Sequence, residues 1–323
     1  MKLTGKLLTT GLMVGGVIGT MTIANKVIES QAGELSTMLT GESRRYPWKY
    51  GEVFYKVKGD RDAKPLVLIH GFGPGASSHE WRKNFETLAE QYRVYAIDLL
   101  GFGLSDRPAI DYTAETFADL IGDFIKEVIG EPTIVLAHGL TCAYVIADAY
   151  RRPQLFERLV LVAPPTTLLQ EITPGPFNAA LKLMLRTPVV GRFMYNILTS
   201  RRAIRGYYDA QGYQNPGLIT DQLVEYIFSS AHQSNSHLPV ASFLSNHLTV
   251  DVHEALARLQ QPIVAVWGRE DVLSSSEAAE AFKRVNPRID TRILEKSRQQ
   301  PQDEQAGQFN NLIREFASQA VYQ

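Results

Sequence analysis

Three short stretches of this chain carry residue types suited to chemistry on a carbonyl. In "HGFG", residues 70–73, Gly71 and Gly73 allow close backbone approach, and the N–H of Phe72 can face a developing oxyanion. "LAHGLTCA", residues 136–143, sets Gly139 between His138 and Leu140 and holds the only thiol, Cys142. "WGRED", residues 267–271, ends an apolar run on a carboxylate, Asp271. Histidine is the side chain that ordinarily titrates near neutrality, and the chain has seven: His70, His79, His138, His232, His237, His247 and His253. A lone cysteine forms no internal disulfide, and no Cys/His cluster has metal-ligand spacing, so neither a metal nor a cofactor is expected.

Positioning such groups requires a scaffold, and the hydrophobic pattern supplies one. Continuous apolar runs at 66–70, 93–99, 133–138, 158–164 and 262–268 suit strands buried on both faces, with a further strand at 51–59 and another at 291–295. Between them, Trp81, Phe85, Leu88 and Tyr92 recur at helical spacing, as do Phe117, Leu120, Ile121, Phe124 and Val128, and later Phe309, Leu312, Ile313 and Phe316. Alternation of this kind predicts an α/β fold, a mostly parallel sheet with helices on both faces. The alternation breaks between Pro165 and Pro262, where helical periodicity runs without a strand, so residues 166–257 are expected to form an inserted helical cap. The core is then 51–165 together with 258–323.

The stretches "HGFG", "DLLGFGLSDRP" (98–108) and Trp267-Gly268 followed by Asp271 together resemble the α/β-hydrolase superfamily, in its capped branch, over about residues 50–318. The loop wording is most similar to a subgroup that includes pheophytinase and chlorophyll dephytylase. The resemblance implies an eight-stranded sheet, a cap after the sixth strand and a Ser-Asp/Glu-His triad in that chain order. It places Gly139 at the nucleophile position, where serine is usual, and gives the Leu140 N–H to the oxyanion hole. It places Asp271 at the acid position and Gln299, in "RQQPQDEQ", at the base position where histidine is usual. His138 belongs to the family's ordinary turn and is assigned a structural role there. A register shifted by two would instead offer Thr141 as nucleophile, and a cap histidine such as His237 or His247 could supply the imidazole.

At the N-terminus, residues 7–24 hold eighteen residues without a charge. At 1.5 Å per residue they span about 27 Å, so residues 1–24 are expected to be a membrane anchor, with export after signal-peptide cleavage as the alternative. Gly11, Gly15 and Gly19 would form a stripe for a transmembrane helix partner. Residues 25–50 read as a polar connector. In the cap, Lys182, Arg186, Arg192, Arg201, Arg202 and Arg205 alternate with aromatic residues, which suits membrane lipid. A net charge of −1 gives no field for gathering nucleic acid. With serine and histidine both absent from their positions, the expected function is a membrane-anchored protein that binds a lipophilic ester-like small molecule or a partner, with little or no hydrolysis. The alternative is an active carboxylic-ester hydrolase on a lipophilic substrate, using a rearranged constellation.

Overall fold

The computed structural model describes residues 2–274 and 277–319, with side chains described from residue 16 onward. Eight strands form one sheet in the order β1-β2-β4-β3-β5-β6-β7-β8: β1 Glu42–Trp48, β2 Gly51–Lys58, β3 Pro65–Ile69, β4 Arg93–Ile97, β5 Thr133–His138, β6 Phe156–Val162, β7 Ile263–Gly268 and β8 Asp290–Leu294. β2 pairs antiparallel with β1 and with β4, and the remaining pairs are parallel. The expected α/β-hydrolase architecture is thus present.

The central strands carry continuous apolar runs because each of their faces meets a helical layer. Val67 and Ile69 of β3, Val135 and Ala137 of β5, and Leu159 and Leu161 of β6 enter one core with Phe117, Leu120, Tyr144 and Trp267. The intervening Leu66, Leu68, Ile134, Leu136, Val160 and Val162 enter a second core with Trp81, Phe85, Phe309 and Ile313. This two-residue alternation is the pleat dividing one buried strand between two layers.

The connector expected over 25–50 is corrected at its far end, where β1 adds an edge strand. Only Tyr46 and Trp48 of β1 are buried, its remaining residues are exposed, and Pro47 interrupts the run, so its pattern is too weakly apolar to stand out. The anchor expected over 1–24 is also corrected. Among the described residues no helix is long and apolar enough to cross a membrane. The first helix runs over Lys2–Ser30, past the expected boundary, and its last turns are bound to the protein. Asn25 is buried, donates to the Val189 carbonyl at 3.1 Å and accepts from Asn196 at 3.0 Å, while Glu29 lies 3.5 Å from Arg192. Ile28 and Ala32 join an apolar cluster with Ile204, Leu223 and Phe228. Gly11 and Gly15 of the proposed stripe lie outside the residues whose side chains are described.

Between β6 and β7 the chain forms helices Pro176–Leu185, Val190–Leu198, Arg201–Tyr207, Asp221–Ala231 and His237–Leu244. The basic residues here are largely engaged: Lys182 and Arg186 with Asp111, Arg201 with Glu225, and Arg205 with Asp221.

One glycine of the core is a test of packing. Gly122 lies inside helix Ala114–Phe124, and a Cβ there would collide with the Arg152 guanidinium and the Asp148 carboxylate. Alanine in a helix interior gains up to about 1 kcal/mol over glycine, while disrupting a buried ion pair costs about 3 to 5 kcal/mol. Gly122→Ala should therefore lower stability by about 2 to 4 kcal/mol in denaturant melts, against the sign of helix propensity.

Candidate active site

β5 ends at His138 and helix Thr141–Arg151 begins three residues later, so the chain must reverse sharply between them. Gly139 makes that turn in the left-handed region at φ 59°, and a Cβ built on it meets nothing within 4 Å. The position therefore faces open space, on the lining of a cavity of about 560 Å³ between the core and the cap. Gly71, Phe72, Gly73, Leu140 and Gln299 line the same cavity.

The "HGFG" turn is held from several sides. The Phe72 ring makes edge contacts with Phe102, Phe117 and Tyr144 at 5.0, 4.7 and 5.5 Å between centroids. His70 is wholly buried, accepts at Nε2 from the Leu99 N–H and directs Nδ1 to the Gly71 carbonyl, so it is a structural neutral imidazole. Among the described residues neither the Phe72 nor the Leu140 N–H donates to a protein acceptor, which leaves both for a carbonyl oxygen in the cavity. The loop 98–108 serves as a brace. Buried Asp98 accepts from the N–H groups of Ser78 and Leu104, fixing the short helix Ser78–Trp81 above the cavity.

That short helix delivers a residue that no motif marks. Glu80 lines the cavity with Oε1 3.1 Å from His138 Nδ1, a charge contact lying off the line of an ideal hydrogen bond. Its Oε2 accepts from the Gly71 N–H at 3.1 Å. The other nitrogen of His138, Nε2, is 2.9 Å from the carbonyl of Gln299. A carbonyl can only accept and a carboxylate favours a donor, so this environment suits the doubly protonated ring. Burial pulls the pKa of His138 down, but the charge and hydrogen bonding of Glu80, the Gln299 carbonyl and the nearby Asp271 more than offset that and leave it raised. Burial likewise raises Glu80, yet the charge of His138 holds its carboxyl below the usual range. A Cβ on Gly71 would lie 2.5 Å from His138 Nδ1, which explains a glycine under the ring.

The pair has a signature in stability. His138 is raised above 6.5, so its contribution is full below that pH and is lost as pH rises through the raised value. Glu80 is lowered below 4.5, so its contribution is full above that pH and is lost as pH falls through the lowered value. The Tm difference between the wild type and Glu80→Gln should peak between pH 4.5 and 6.5 and narrow toward alkaline pH. A difference that kept growing as pH rose into the alkaline range would contradict the pairing.

Asp271 stands behind this group, 4 % exposed. Its Oδ1 accepts from the N–H groups of Leu273 and Ser274, its Oδ2 has no partner among the described residues, and burial raises its pKa. Gln299 turns its side chain outward, where Oε1 accepts from the Tyr207 hydroxyl of the cap at 2.6 Å. The structure thus gathers Gly139, Gln299 and the oxyanion donors at one cavity, while Asp271 lies just beneath its surface. Thr141 is fully buried with its hydroxyl given to the His70 carbonyl at 2.8 Å, which removes it as a nucleophile. Cys142 is equally buried, and burial pushes its thiol well up. The cap histidines His237 and His247 are not on the cavity wall.

Residues 66–309 match the family model described as "Alpha/beta hydrolase family". An uncharacterized protein of Mycobacterium tuberculosis is 24 % identical over 276 residues, covering 81 % of this chain and 77 % of that protein. Epoxide hydrolase 4 of Mus musculus is 24 % identical over 242 residues, covering 71 % and 66 %. Among solved structures, a mutant of the meta-cleavage product hydrolase CumD from Pseudomonas fluorescens IP01 superposes with a TM-score of 0.69 at 22 % identity, covering 85 % of this chain and 97 % of that one, a likeness of fold. The family match, with epoxide hydrolase 4 among the relatives, corrects the expectation of a membrane-anchored binder with little or no hydrolysis to membership of a hydrolase family. The physical ground for that expectation, a site without an imidazole, is also removed by the position of His138.

Proposed function

The chain belongs to the alpha/beta hydrolase family, and from that premise we propose that it hydrolyses carboxylic esters with a constellation built on His138 and Glu80. The observation that carries this reading is His138 on the cavity wall, 3.1 Å from Glu80 Oε1, next to the turn at Gly139.

In this mechanism the ester carbonyl oxygen takes the N–H groups of Phe72 and Leu140, and the absence of a side chain at Gly139 lets water approach the carbonyl carbon directly. Water adds to that carbon as one of its protons passes to neutral His138. Nε2 is the accepting nitrogen because Nδ1 is committed to Glu80, so the Gln299 carbonyl contact yields as the substrate binds. Glu80 stabilises the imidazolium formed, and the two N–H groups hold the tetrahedral oxyanion. The carbon–oxygen bond to the alcohol portion then breaks, and His138 returns the proton to the departing alkoxide. Carboxylic acid and alcohol are the products, with no covalent intermediate. Ile204, Leu223, Ile227 and Phe243 on the cavity wall suit a lipophilic portion of the substrate.

The test is hydrolysis of p-nitrophenyl acyl esters by the full chain, followed from the first turnover and paired with a serine-directed fluorophosphonate probe. Turnover above the buffer rate, without a burst and without labelling, is the expected result. A rate equal to buffer would overturn the proposal, and stoichiometric labelling would identify a different nucleophile.

A further inference from the structure

One wall of the cavity is polar and carries charge that the hydrolytic chemistry does not use. Asp303 is 1 % exposed and receives two cations, Arg82 on Oδ2 and Lys83 on Oδ1 at 3.0 Å, besides the Tyr213 hydroxyl. One positive charge is thereby left unbalanced. Glu80 does not cancel it, being paired with His138, and Glu304 is turned to the backbone N–H groups of Gln214, Asn215 and Arg298. Only Nη2 of Arg82 is engaged, so Nε and Nη1 have no protein partner among the described residues, and this side chain lines the cavity. Beside it on the lining, His79 is 7 % exposed, stacks 4.0 Å from the Tyr226 ring, and has a buried Nδ1 without a protein partner. Burial, then the charge of Arg82, lowers His79 to about 4, so it is a neutral hydrogen-bonding group at physiological pH.

We propose that this wall, centred on Arg82 and His79, is a recognition subsite for a carboxylate, so that the substrate is an ester bearing a free carboxylate at the other end of an apolar stem. The stem lies along Leu223 and Ile227, which share the lining with the polar wall. A half-ester of an aliphatic dicarboxylic acid has this chemistry. The inference deepens the esterase reading by naming its substrate class, and it is tested by binding so that it stands or falls apart from turnover.

The probes are monomethyl adipate, an anion at pH 7.5, and the uncharged dimethyl adipate, each titrated calorimetrically into the full-length wild type and into Arg82→Gln. A charge-assisted hydrogen bond to a partly desolvated guanidinium should make the wild type prefer the monoester by about tenfold or more. Arg82→Gln should abolish that preference while leaving the affinity for the diester within about twofold, and added salt should narrow the preference in the wild type. Equal affinities in the wild type, or a preference unchanged in Arg82→Gln, would overturn the proposal. Should Arg82→Gln melt below the assay temperature through loss of its pair with Asp303, the wild-type preference and its salt dependence decide. Monoester preference with no ester hydrolysis would keep the subsite and remove the catalytic reading.

Discussion

The double variant Gly139→Ser, Gln299→His is expected to become labelled by a fluorophosphonate and to hydrolyse acyl esters on the order of 10²- to 10⁴-fold faster than the wild type, the usual range for adding a positioned acid–base group. Three features of the present structure support that result. The turn is already built: position 139 holds the left-handed conformation a side chain rarely adopts, and a Cβ there projects into open space. Serine would suffer backbone strain of about 1 to 2 kcal/mol, a cost the surrounding strand and helix are placed to absorb. The acid is also in place, since Asp271 has one oxygen fixed by the Leu273 and Ser274 N–H groups and the other without a partner. Finally, the loop bearing residue 299 is tied to the loop bearing residue 271: Glu270 N–H donates to the Ser297 carbonyl at 3.1 Å, and Ser297 N–H to Glu270 Oε2 at 3.0 Å. An imidazole at 299 would forfeit the Tyr207 bond, about 1 kcal/mol, and gain Asp271. Burst kinetics should appear only in the double variant, because a serine without its own base stays protonated. Labelling of Gly139→Ser alone at the same rate as the double variant would mean that His138 already serves as that base. Absence of labelling in both would show that residue 139 does not face the bound acyl group.

How much of this was legible in the sequence differs sharply between scaffold and site. β3 and β5 to β7 declared themselves because burial on both faces makes the middle of each strand a continuous apolar run, a pattern that needs no tertiary knowledge. β1 did not, since an edge strand buries only Tyr46 and Trp48. The N-terminal segment misled for a different reason: an uncharged run need not be strongly apolar, Thr and Gly filling eight of residues 7–24, and the contacts that bind the helix begin beyond it, at Asn25, with Val189 and Asn196 more than 160 positions away. At the site, the turns at Gly139 and at Phe72 could be placed from their motifs because tight backbone geometry depends on local sequence. Glu80 was not, since nothing in "SSHEW" distinguishes a carboxylate that reaches His138 from one that points to water. His138 itself was visible but assigned a structural role, because the catalytic role proposed for it rests on that single distant partner. Arg82 and His79 escaped for the same reason, a cavity wall being assembled from segments that no motif links.

His138→Gln should lower kcat/KM for acyl esters by about 10²- to 10⁴-fold, while Glu80→Gln should move the pH profile rather than erase it. Neutral His138 is the form that accepts a proton, and its pKa is raised above 6.5, so wild-type kcat/KM should climb along a limb centred above that pH. Burial alone would push the ring the other way, and Glu80 is the foremost group opposing burial. Removing the carboxylate's charge while keeping its shape leaves burial opposed only by the Gln299 carbonyl and Asp271, and the limb should shift to lower pH. At alkaline pH, where the wild-type ring is already neutral, Glu80→Gln should still be slower, because the imidazolium formed in the transition state has lost its counter-charge. The two effects together, faster relative to wild type at low pH and slower at high pH, make the curves cross. Simple structural damage would lower the rate at every pH without such a crossing, and melts at the alkaline end of the profile, where the ring is neutral and the pair contributes little to stability, separate the two. A limb that stays in place in Glu80→Gln would put the titrating group elsewhere, and the unpartnered carboxylate of Asp271 would be the first to examine.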